Sequence, residues 1–327
     1  MIKQQPFHKI LPVLGIVIVF GACSGDSSTK PTNVDPNKDD VNYASIVQSV
    51  SLERYTVNLR DKLNAHAGDN RGNIFDSSTG NYEASEQLKE VRAMLYSHFL
   101  ALGLSTAYDH YRPTVPDFGI NVVAELTGIT KPEQIIIIGA HYDSVGNPGA
   151  CDNASGTAAL MELATVLSEF RFEKTIRFIA WDEEETGHIG SSTYAENHKN
   201  EDILIYFNID SIGRDGGTHR VRVGSQSEAN RPFMNTFVSF LTEYSPEVTA
   251  LLATENDNSD HNEFESRGIR NFEIYTYDYI DPGYGYYHMP EDNVDTPGQI
   301  NYQFGYWMIR AGAAFVADQA VYVTESI

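Results

Sequence analysis

Short apolar runs recur along the middle of this 327-residue chain and are separated by longer helical patterns. The runs are rich in Ile, Val and Phe and lack polar alternation; they lie at Val122–Leu126, Ile135–Ala140, Thr175–Trp181 and Ile203–Ile209. Uninterrupted apolar runs of this length are typical of strands that are buried on both faces. The pattern therefore predicts a sheet that is covered by other elements on each side.

Helical periodicity appears between and around these runs. It predicts helices at Val41–His66, Ala84–Leu102, Ser155–Phe170, Asn230–Glu243 and Gln299–Tyr322. Gly68–Tyr82 is rich in Gly, Asn, Asp and Ser and is predicted to be a loop. Strands that alternate with helices predict an α/β fold, a three-layer sandwich whose mostly parallel central sheet has helices on both faces.

The first 22 residues have the pattern of a signal peptide. Lys3 and Lys9 make a basic start, and the apolar run Ile10–Phe20 is too short for a permanent membrane span. Phe20-Gly21-Ala22-Cys23 resembles a bacterial lipobox, which implies cleavage and a lipid on Cys23. Ser24 after that cysteine favours anchoring in the outer membrane, facing the periplasm or the exterior. The alternative is an ordinary secretory signal in which Cys23 is incidental.

Residues 23–40 are predicted to be a flexible tether, because Ser24–Asp40 is almost free of apolar residues. Residues 41–327 show one composition and no repeat, so a single catalytic domain is expected there. The formal net charge of −22 argues against nucleic-acid binding, which needs clustered Lys and Arg. If Cys23 is lipidated, Cys151 is the second and last cysteine, and no intramolecular disulfide is expected.

Five polar segments follow these runs or open a helix. They read HYD at His141–Asp143, CDNASG at Cys151–Gly156, DEEETG at Asp182–Gly187, NID at Asn208–Asp210 and YYH at Tyr286–His288. Sites in such sheets form beyond the carboxyl ends of strands, so these segments are expected to meet. Imidazole and carboxylate are the ligands of hydrolytic zinc sites. Taken singly, each has an ordinary explanation; Asp152, for example, suits a helix start.

Together the segments resemble metallopeptidase family twenty-eight, the zinc-dependent exopeptidases that include bacterial leucyl aminopeptidases, glutamate carboxypeptidases and glutaminyl cyclases. The resemblance covers Arg71 to the C-terminus. It implies two zinc ions held by His141 and Asp210 on one side, Glu185 and His288 on the other, and Asp152 as the bridge, with a cis peptide bond to Asn153. It also implies that Glu184 is the general base, that Asp143 supports the first histidine, and that Tyr287 stabilises the oxyanion.

The chain departs from the family pattern at two positions. Cys151 stands where relatives commonly have Asp, and either packs beside the site or makes activity sensitive to oxidants. His188 stands where the family usually has an apolar residue, and we do not expect it to be a ligand. Asp260, in a segment that resembles part of the substrate pocket, either contacts substrate or opens an ordinary helix. The tyrosines of Tyr275–Tyr287 either line the pocket or pack conventionally.

The favoured function is a monomeric di-zinc aminopeptidase that acts on peptides with a free N-terminus and touches the membrane only through its lipid. A glutaminyl cyclase, which would convert N-terminal Gln to pyroglutamate, is the alternative within the fold. A carboxypeptidase is disfavoured, because no basic cluster for a substrate carboxylate lies near the motifs. A catalytically idle peptide-binding lipoprotein is the alternative from another functional class.

Overall fold

An eight-stranded mixed sheet forms the centre of the computed structural model, which describes residues 42–76, 81–115, 117–254, 258–276 and 286–323. The strands are β1 Asn73–Asp76, β2 Asn81–Ala84, β3 Ser105–His110, β4 Ile120–Leu126, β5 Lys131–His141, β6 Lys174–Trp181, β7 Asp202–Ile209, β8 Arg220–Gly224, β9 Thr249–Ala253 and β10 Asn271–Thr276. β1 and β2 form a separate hairpin, and the large sheet has the order β3-β4-β6-β5-β7-β10-β8-β9. The predicted signal peptide and tether lie outside the described residues.

Four neighbouring strands of the sheet, β6, β5, β7 and β10, run parallel and form its middle. β8 and β9 are parallel to each other. The pairings of β3 with β4, β4 with β6 and β8 with β10 are antiparallel. The carboxyl ends of the four central strands therefore meet at one edge, where the polar segments begin.

Helices cover both faces of the sheet. They are α1 Ala44–Ser49, α2 Leu52–Val57, α3 Glu86–Ala101, α4 Ser155–Leu167, α5 Ile189–Asn197, α6 Arg231–Tyr244, α7 His261–Glu265 and α8 Tyr302–Ala320. On one face α4 and α8 pack on each other and on β5; on the other, α5 packs on α7. The predicted α/β three-layer architecture is confirmed. No helix in the described ranges combines the length and apolar character needed to cross a bilayer.

The side chains of β5 show why its sequence is continuously apolar. Ile135 and Ile137 join a buried cluster with Trp181, Tyr194 of α5 and Phe264 of α7. Alternate residues of a strand point to opposite faces, so the fully buried Ile136 and Ile138 point towards the α4 and α8 side. At about 25 cal/mol per Å² of apolar area removed from water, such double-sided burial is a main source of stability.

Two sequence predictions about local structure are wrong. Gly68–Tyr82 is not all loop, because Asn73–Asp76 pairs with Asn81–Ala84 as an antiparallel hairpin. Val41–His66 is not one helix either, because Val50 is extended, with φ −67° and ψ 128°, and Ser51 caps a new helix. The break is stabilised from a distance, since the Ser51 backbone N–H donates to the buried Glu162 carboxylate at 2.6 Å.

Candidate metal centre and cleft

Adjacent strand ends place most of the predicted site residues. His141 is the last residue of β5, Glu184 and Glu185 follow β6, and Asp210 follows β7. These three strands are neighbours and parallel, so their carboxyl ends present the side chains at the same edge. Asp152 comes from the turn Ala150–Ala154 that precedes α4.

Asp152 lies between the two histidines. Its Oδ1 is 3.2 Å from Nε2 of His141, and its Oδ2 is 3.2 Å from Nε2 of His288. The peptide bond from Asp152 to Asn153 is cis, as the family resemblance implies. One carboxylate therefore presents a separate oxygen to each imidazole, which is the arrangement required of a bridging ligand.

A further carboxylate accompanies each histidine. Asp210 Oδ1 is 3.5 Å from Nε2 of His141, and Glu185 Oε2 is 3.1 Å from Nε2 of His288. Asp210 is held in place because Ser211 and Ser259 donate hydroxyl hydrogen bonds of 3.1 Å to its two oxygens. The five predicted ligands thus converge as two His–carboxylate pairs on either side of Asp152.

These donors suit a divalent metal. Ligand atoms of His141, Asp152 and Glu185 lie within 4.8 Å of one another, as do those of His141, Glu184 and Asp210. Nε2 of His141 and Oε1 of Glu185 are buried, and neither makes a hydrogen bond to any residue that the structure describes. Unsatisfied buried imidazole nitrogen and carboxylate oxygen are the atoms that zinc coordinates in proteins.

The electrostatics of the cluster also favour a cation. Burial raises the pKa of Glu184 and of Glu185, because it disfavours their charged forms. Burial opposes ionisation of Asp152 as well, but the two histidines outweigh that effect and lower its pKa. A bound cation would stabilise the ionised form of the buried glutamates and relieve the repulsion between these crowded carboxylates.

Three consecutive glutamates follow β6, and each faces a different partner. Glu183 forms an ion pair with Arg112 at 2.8 Å and turns away from the histidines. Glu184 lies 3.3 Å from the ring of His188, and Glu185 faces His288. The residue pattern separates these acids only through the family resemblance, whereas the fold gives each of them separate surroundings.

Asp143 supports this turn from behind. Its carboxylate accepts the backbone N–H groups of Glu184 at 3.2 Å and Glu185 at 3.3 Å. Its Oδ1 is also 3.5 Å from Nδ1 of His141, while the Asp143 backbone oxygen is 3.2 Å from the same nitrogen. Asp143 therefore contacts both the first histidine and the glutamate turn.

Asp292 contributes to the site although sequence reasoning missed it. Its carboxylate accepts the backbone N–H groups of Cys151 at 2.9 Å and Asp152 at 3.1 Å, and the Gln299 side-chain amide at 2.6 Å. Burial raises the pKa of Asp292 to about 6. The only signal in the sequence is its position four residues after His288, in a loop without regular periodicity.

A cavity of about 390 Å³ opens beside the cluster. Its described lining comprises Asp152, Glu184, Glu185, Gly187, His188, Asp210, Ser211, Asn258, Ser259, Glu273, Tyr275, Tyr287 and His288. The Tyr287 ring lies against that of His288, with 3.6 Å between centroids. Asp260 is fully buried and is not part of this wall, whereas its neighbour Ser259 is. Tyr277, Tyr279 and Tyr284 of the predicted aromatic wall lie outside the described residues.

The comparison with known families agrees with this geometry, because residues 121–304 match the model described as Peptidase family M28. The chain belongs to peptidase family M28. The M28 chain is 32% identical over 192 residues to Aminopeptidase YwaD of Bacillus subtilis (strain 168), a match that spans 52% of the chain and 39% of YwaD. The chain thus covers well under two thirds of that relative's length.

Two solved structures extend the comparison. BSAP, a zinc aminopeptidase from Bacillus subtilis, superposes on the M28 chain with a TM-score of 0.56 and 26% identity, covering 64% of this chain and 51% of BSAP. A Macrostomum lignano glutaminyl cyclase superposes with a TM-score of 0.67 and 17% identity, covering 91% and 96%. At that lower identity the likeness concerns the fold alone, so the fold does not separate peptidase from cyclase.

Proposed function

We propose that this M28 member is a zinc aminopeptidase that binds two ions and removes residues from the free N-terminus of peptides. The observation that carries the proposal is the position of Asp152, with one carboxylate oxygen directed to each histidine. His141 and Asp210 would hold one ion with Asp152, and Glu185 and His288 would hold the other. Bound there, zinc would acidify a coordinated water and polarise the scissile carbonyl.

Glu184 is the proposed general base. It lines the cavity, and its Oε2 lies 4.0 Å from Nε2 of His141, beside the ligands but outside the two His–carboxylate pairs. Its carboxylate would accept a proton from the attacking water and deliver it to the leaving amine. Burial raises the pKa of Glu184, which brings its proton affinity closer to the value that this shuttle needs.

The remaining cavity groups suit a peptide with a charged N-terminus. Tyr287, a partly exposed part of the wall, is proposed to donate a hydrogen bond to the oxygen that becomes negative during attack. The wall also carries the carboxylates of Glu185, Asp210 and Glu273 and no Lys or Arg among its described residues. With Glu185 and Asp210 assigned to zinc, Glu273 remains to attract an α-ammonium group, and no Lys or Arg of the described lining could pair with a substrate carboxylate. The cavity therefore favours an aminopeptidase over a carboxypeptidase.

The first test is hydrolysis of a peptide panel by a zinc-loaded soluble form that begins after Cys23. Matched peptides with free and acetylated N-termini would be followed by mass spectrometry. We expect stepwise loss of N-terminal residues from the free peptides alone. Loss of ammonia from N-terminal Gln without release of amino acid would assign the cyclase reaction instead, and unchanged peptides would support the idle binding protein.

Glu184→Gln tests the assigned base. The variant keeps the shape of the side chain but cannot accept the proton, so we expect kcat to fall by about 10³-fold or more with zinc content unchanged. Kinetics and metal analysis would be measured on the same preparations. Glu183→Gln is the matched control, since Glu183 pairs with Arg112 away from the site, and it should keep most of the activity. Substantial activity in Glu184→Gln would refute the assignment.

A further inference from the structure

One short turn carries both Glu184 and His188. The backbone N–H groups of Gly187 and His188 donate to the Glu184 carbonyl at 2.9 and 2.8 Å. Gly187 has φ 110°, and His188 is left-handed with φ 54° and ψ 34° immediately before α5. The reversal of the chain returns the imidazole of His188 to the side chain of Glu184.

The His188 ring contacts one carboxylate oxygen of the proposed base, and the other oxygen faces the candidate metal cluster. Nε2 of His188 lies 3.3 Å from Oε1 of Glu184, whereas Oε2 lies 4.0 Å from Nε2 of His141. The two carboxylate oxygens therefore have separate neighbours. Because the last torsion of a glutamate is broad, fixing one oxygen is what determines where the second one points.

The other ring nitrogen faces a second carboxylate. Nδ1 of His188 lies 3.6 Å from Oε1 of Glu263 in α7, and Glu263 forms an ion pair with Arg267 at 3.1 Å. The His188 side chain is only 8% exposed, so its orientation is fixed by packing as well as by charge. A series of side-chain contacts thus leads to the proposed base, from Arg267 through Glu263 and His188 to Glu184.

A ligand role does not account for this ring. Neither metal-binding group found among the described residues includes His188. Packing alone does not account for it either, because an apolar side chain could fill the same space without meeting either carboxylate. The imidazole instead lies where its polar atoms meet Glu184 and Glu263.

We propose that His188 is a positioning residue for catalysis, which holds Oε1 of Glu184 so that Oε2 faces the attacking water. The inference rests on the proposed function, in which Glu184 is the general base. Its effect is on the probability that the carboxylate is correctly aimed once substrate is bound. It should therefore change kcat and leave substrate binding and zinc content alone.

Two amide substitutions in the full-length, zinc-loaded protein separate the ring's contributions. In His188→Gln the amide nitrogen can occupy the place of Nε2, next to Glu184, whereas in His188→Asn it corresponds to Nδ1 and falls short. We expect His188→Asn to lower kcat by about 10- to 100-fold, and His188→Gln to stay within about threefold of the wild type. KM and zinc per chain should be unchanged in both variants.

The two variants also distinguish the loss of the ring contact from strain at the left-handed backbone of residue 188. Asparagine tolerates positive φ better than most residues, so a backbone effect would make His188→Asn the milder change. Equal kcat values for the two variants, or a loss confined to KM or zinc content, would overturn the proposal. In a Glu184→Gln background, His188→Asn should have no further effect on kcat; an additive loss would also overturn it.

Crystal structures supply a readout that does not depend on activity. The carboxylate of Glu184 should turn away from His141 in His188→Asn and keep its position in His188→Gln. An unmoved carboxylate in His188→Asn would refute the positioning role. If the wild type hydrolyses no peptide, the proposed function fails, and these structures still decide whether His188 orients Glu184.

Discussion

At the scale of single residues, the site depends on backbone conformations that most side chains avoid. Glu183, His188, Ser211 and His288 all have φ between 47° and 58° without being glycine. Such residues cost free energy in isolation and cluster where surrounding contacts hold them. His288 is itself a proposed ligand, and the other three lie beside a proposed ligand or beside the proposed base. The turns that aim the functional side chains are therefore stabilised by tertiary contacts and not by local preference.

Asp292 offers a residue-scale test of such a contact. Asp292→Asn turns an acceptor into a donor against the backbone N–H of Cys151 or Asp152, so the proposed bridging ligand loses its support. We expect zinc affinity to fall by about 10- to 100-fold, measured by competition with a chromophoric chelator. Asp295→Asn, an exposed change three residues away, is the control and should bind zinc normally. Equal affinity in both variants would contradict this role.

At the scale of elements, the predictable part of the fold is its buried middle. Ile135–Ala140 and Ile203–Ile209 are apolar on both faces because helices cover both, and their sequences show it directly. β3 is mostly exposed, and its residues Ser105–His110 have no apolar pattern to detect. The helix break at Ser51 depends on Glu162, more than 100 residues away, so no local pattern could reveal it.

The same distinction holds for the candidate site. The candidate ligands His141 and Asp210 could be predicted because they lie at the ends of apolar strands that meet at one edge. Glu185 lies four residues beyond its strand, and only the family resemblance singled it out from the acids before it. Asp292 and the pairing of His188 with Glu184 could not, since both depend on how irregular segments return to the strands. The sequence predicts the types of candidate ligand and the strand ends that carry them, whereas it does not predict the contacts that orient each side chain.

Arg71 tests how an irregular segment is held against the sheet. Its fully buried guanidinium donates to the backbone carbonyls of Tyr142, Gly149 and Leu63 at 3.0, 2.9 and 3.3 Å, and also to Pro148. Arg71→Met would leave these acceptors unsatisfied, so we expect the free energy of unfolding to fall by about 3 kcal/mol or more. Urea denaturation would measure it. Arg60→Met, an exposed change, should cost little; a similar small cost for Arg71→Met would contradict the expectation.

His261, the first residue of α7, predicts a pH dependence of stability. Burial lowers its pKa to about 3, far below about 6.5 in the unfolded chain. As pH falls, His261 therefore becomes protonated in the unfolded state while it is still neutral in the folded state. The stability that His261 contributes is present above pH 6.5 and is lost as pH falls towards 3. Between pH 7 and pH 5 the loss is about 2 kcal/mol.

His261→Leu should remove that component. Neither ring nitrogen of His261 has a hydrogen bond among the described residues, so replacement by leucine removes no such hydrogen bond. We expect the variant's free energy of unfolding to decline less than that of the wild type between pH 7 and pH 5, at equal zinc concentration. Parallel stability curves for the two proteins would show that His261 is not the group responsible.

At the scale of the whole molecule, the chain divides at Val41, and the second unit, Asn42–Ile327, contains all the described residues. The predicted lipid anchor lies in the first unit and stays a prediction. Expressed in a bacterium that processes lipoproteins, the protein should incorporate labelled palmitate and sediment with membranes. Cys23→Ala should lose the label and become soluble. A wild type that takes up no label would favour the ordinary secretory signal, and labelling that persists in the variant would show that the lipid is not on Cys23.

The loop from Tyr286 to Asn301 supplies His288 to the metal cluster and Asp292 to the backbone of Asp152. If zinc binds as proposed, metal loading and ordering of this loop are thermodynamically linked, since each stabilises the conformation that the other requires. A chelator that removes zinc should loosen the loop, and a protease that cuts it should release zinc. Resistance to proteolysis would then follow zinc supply, so that zinc starvation would expose the metal-free protein to degradation.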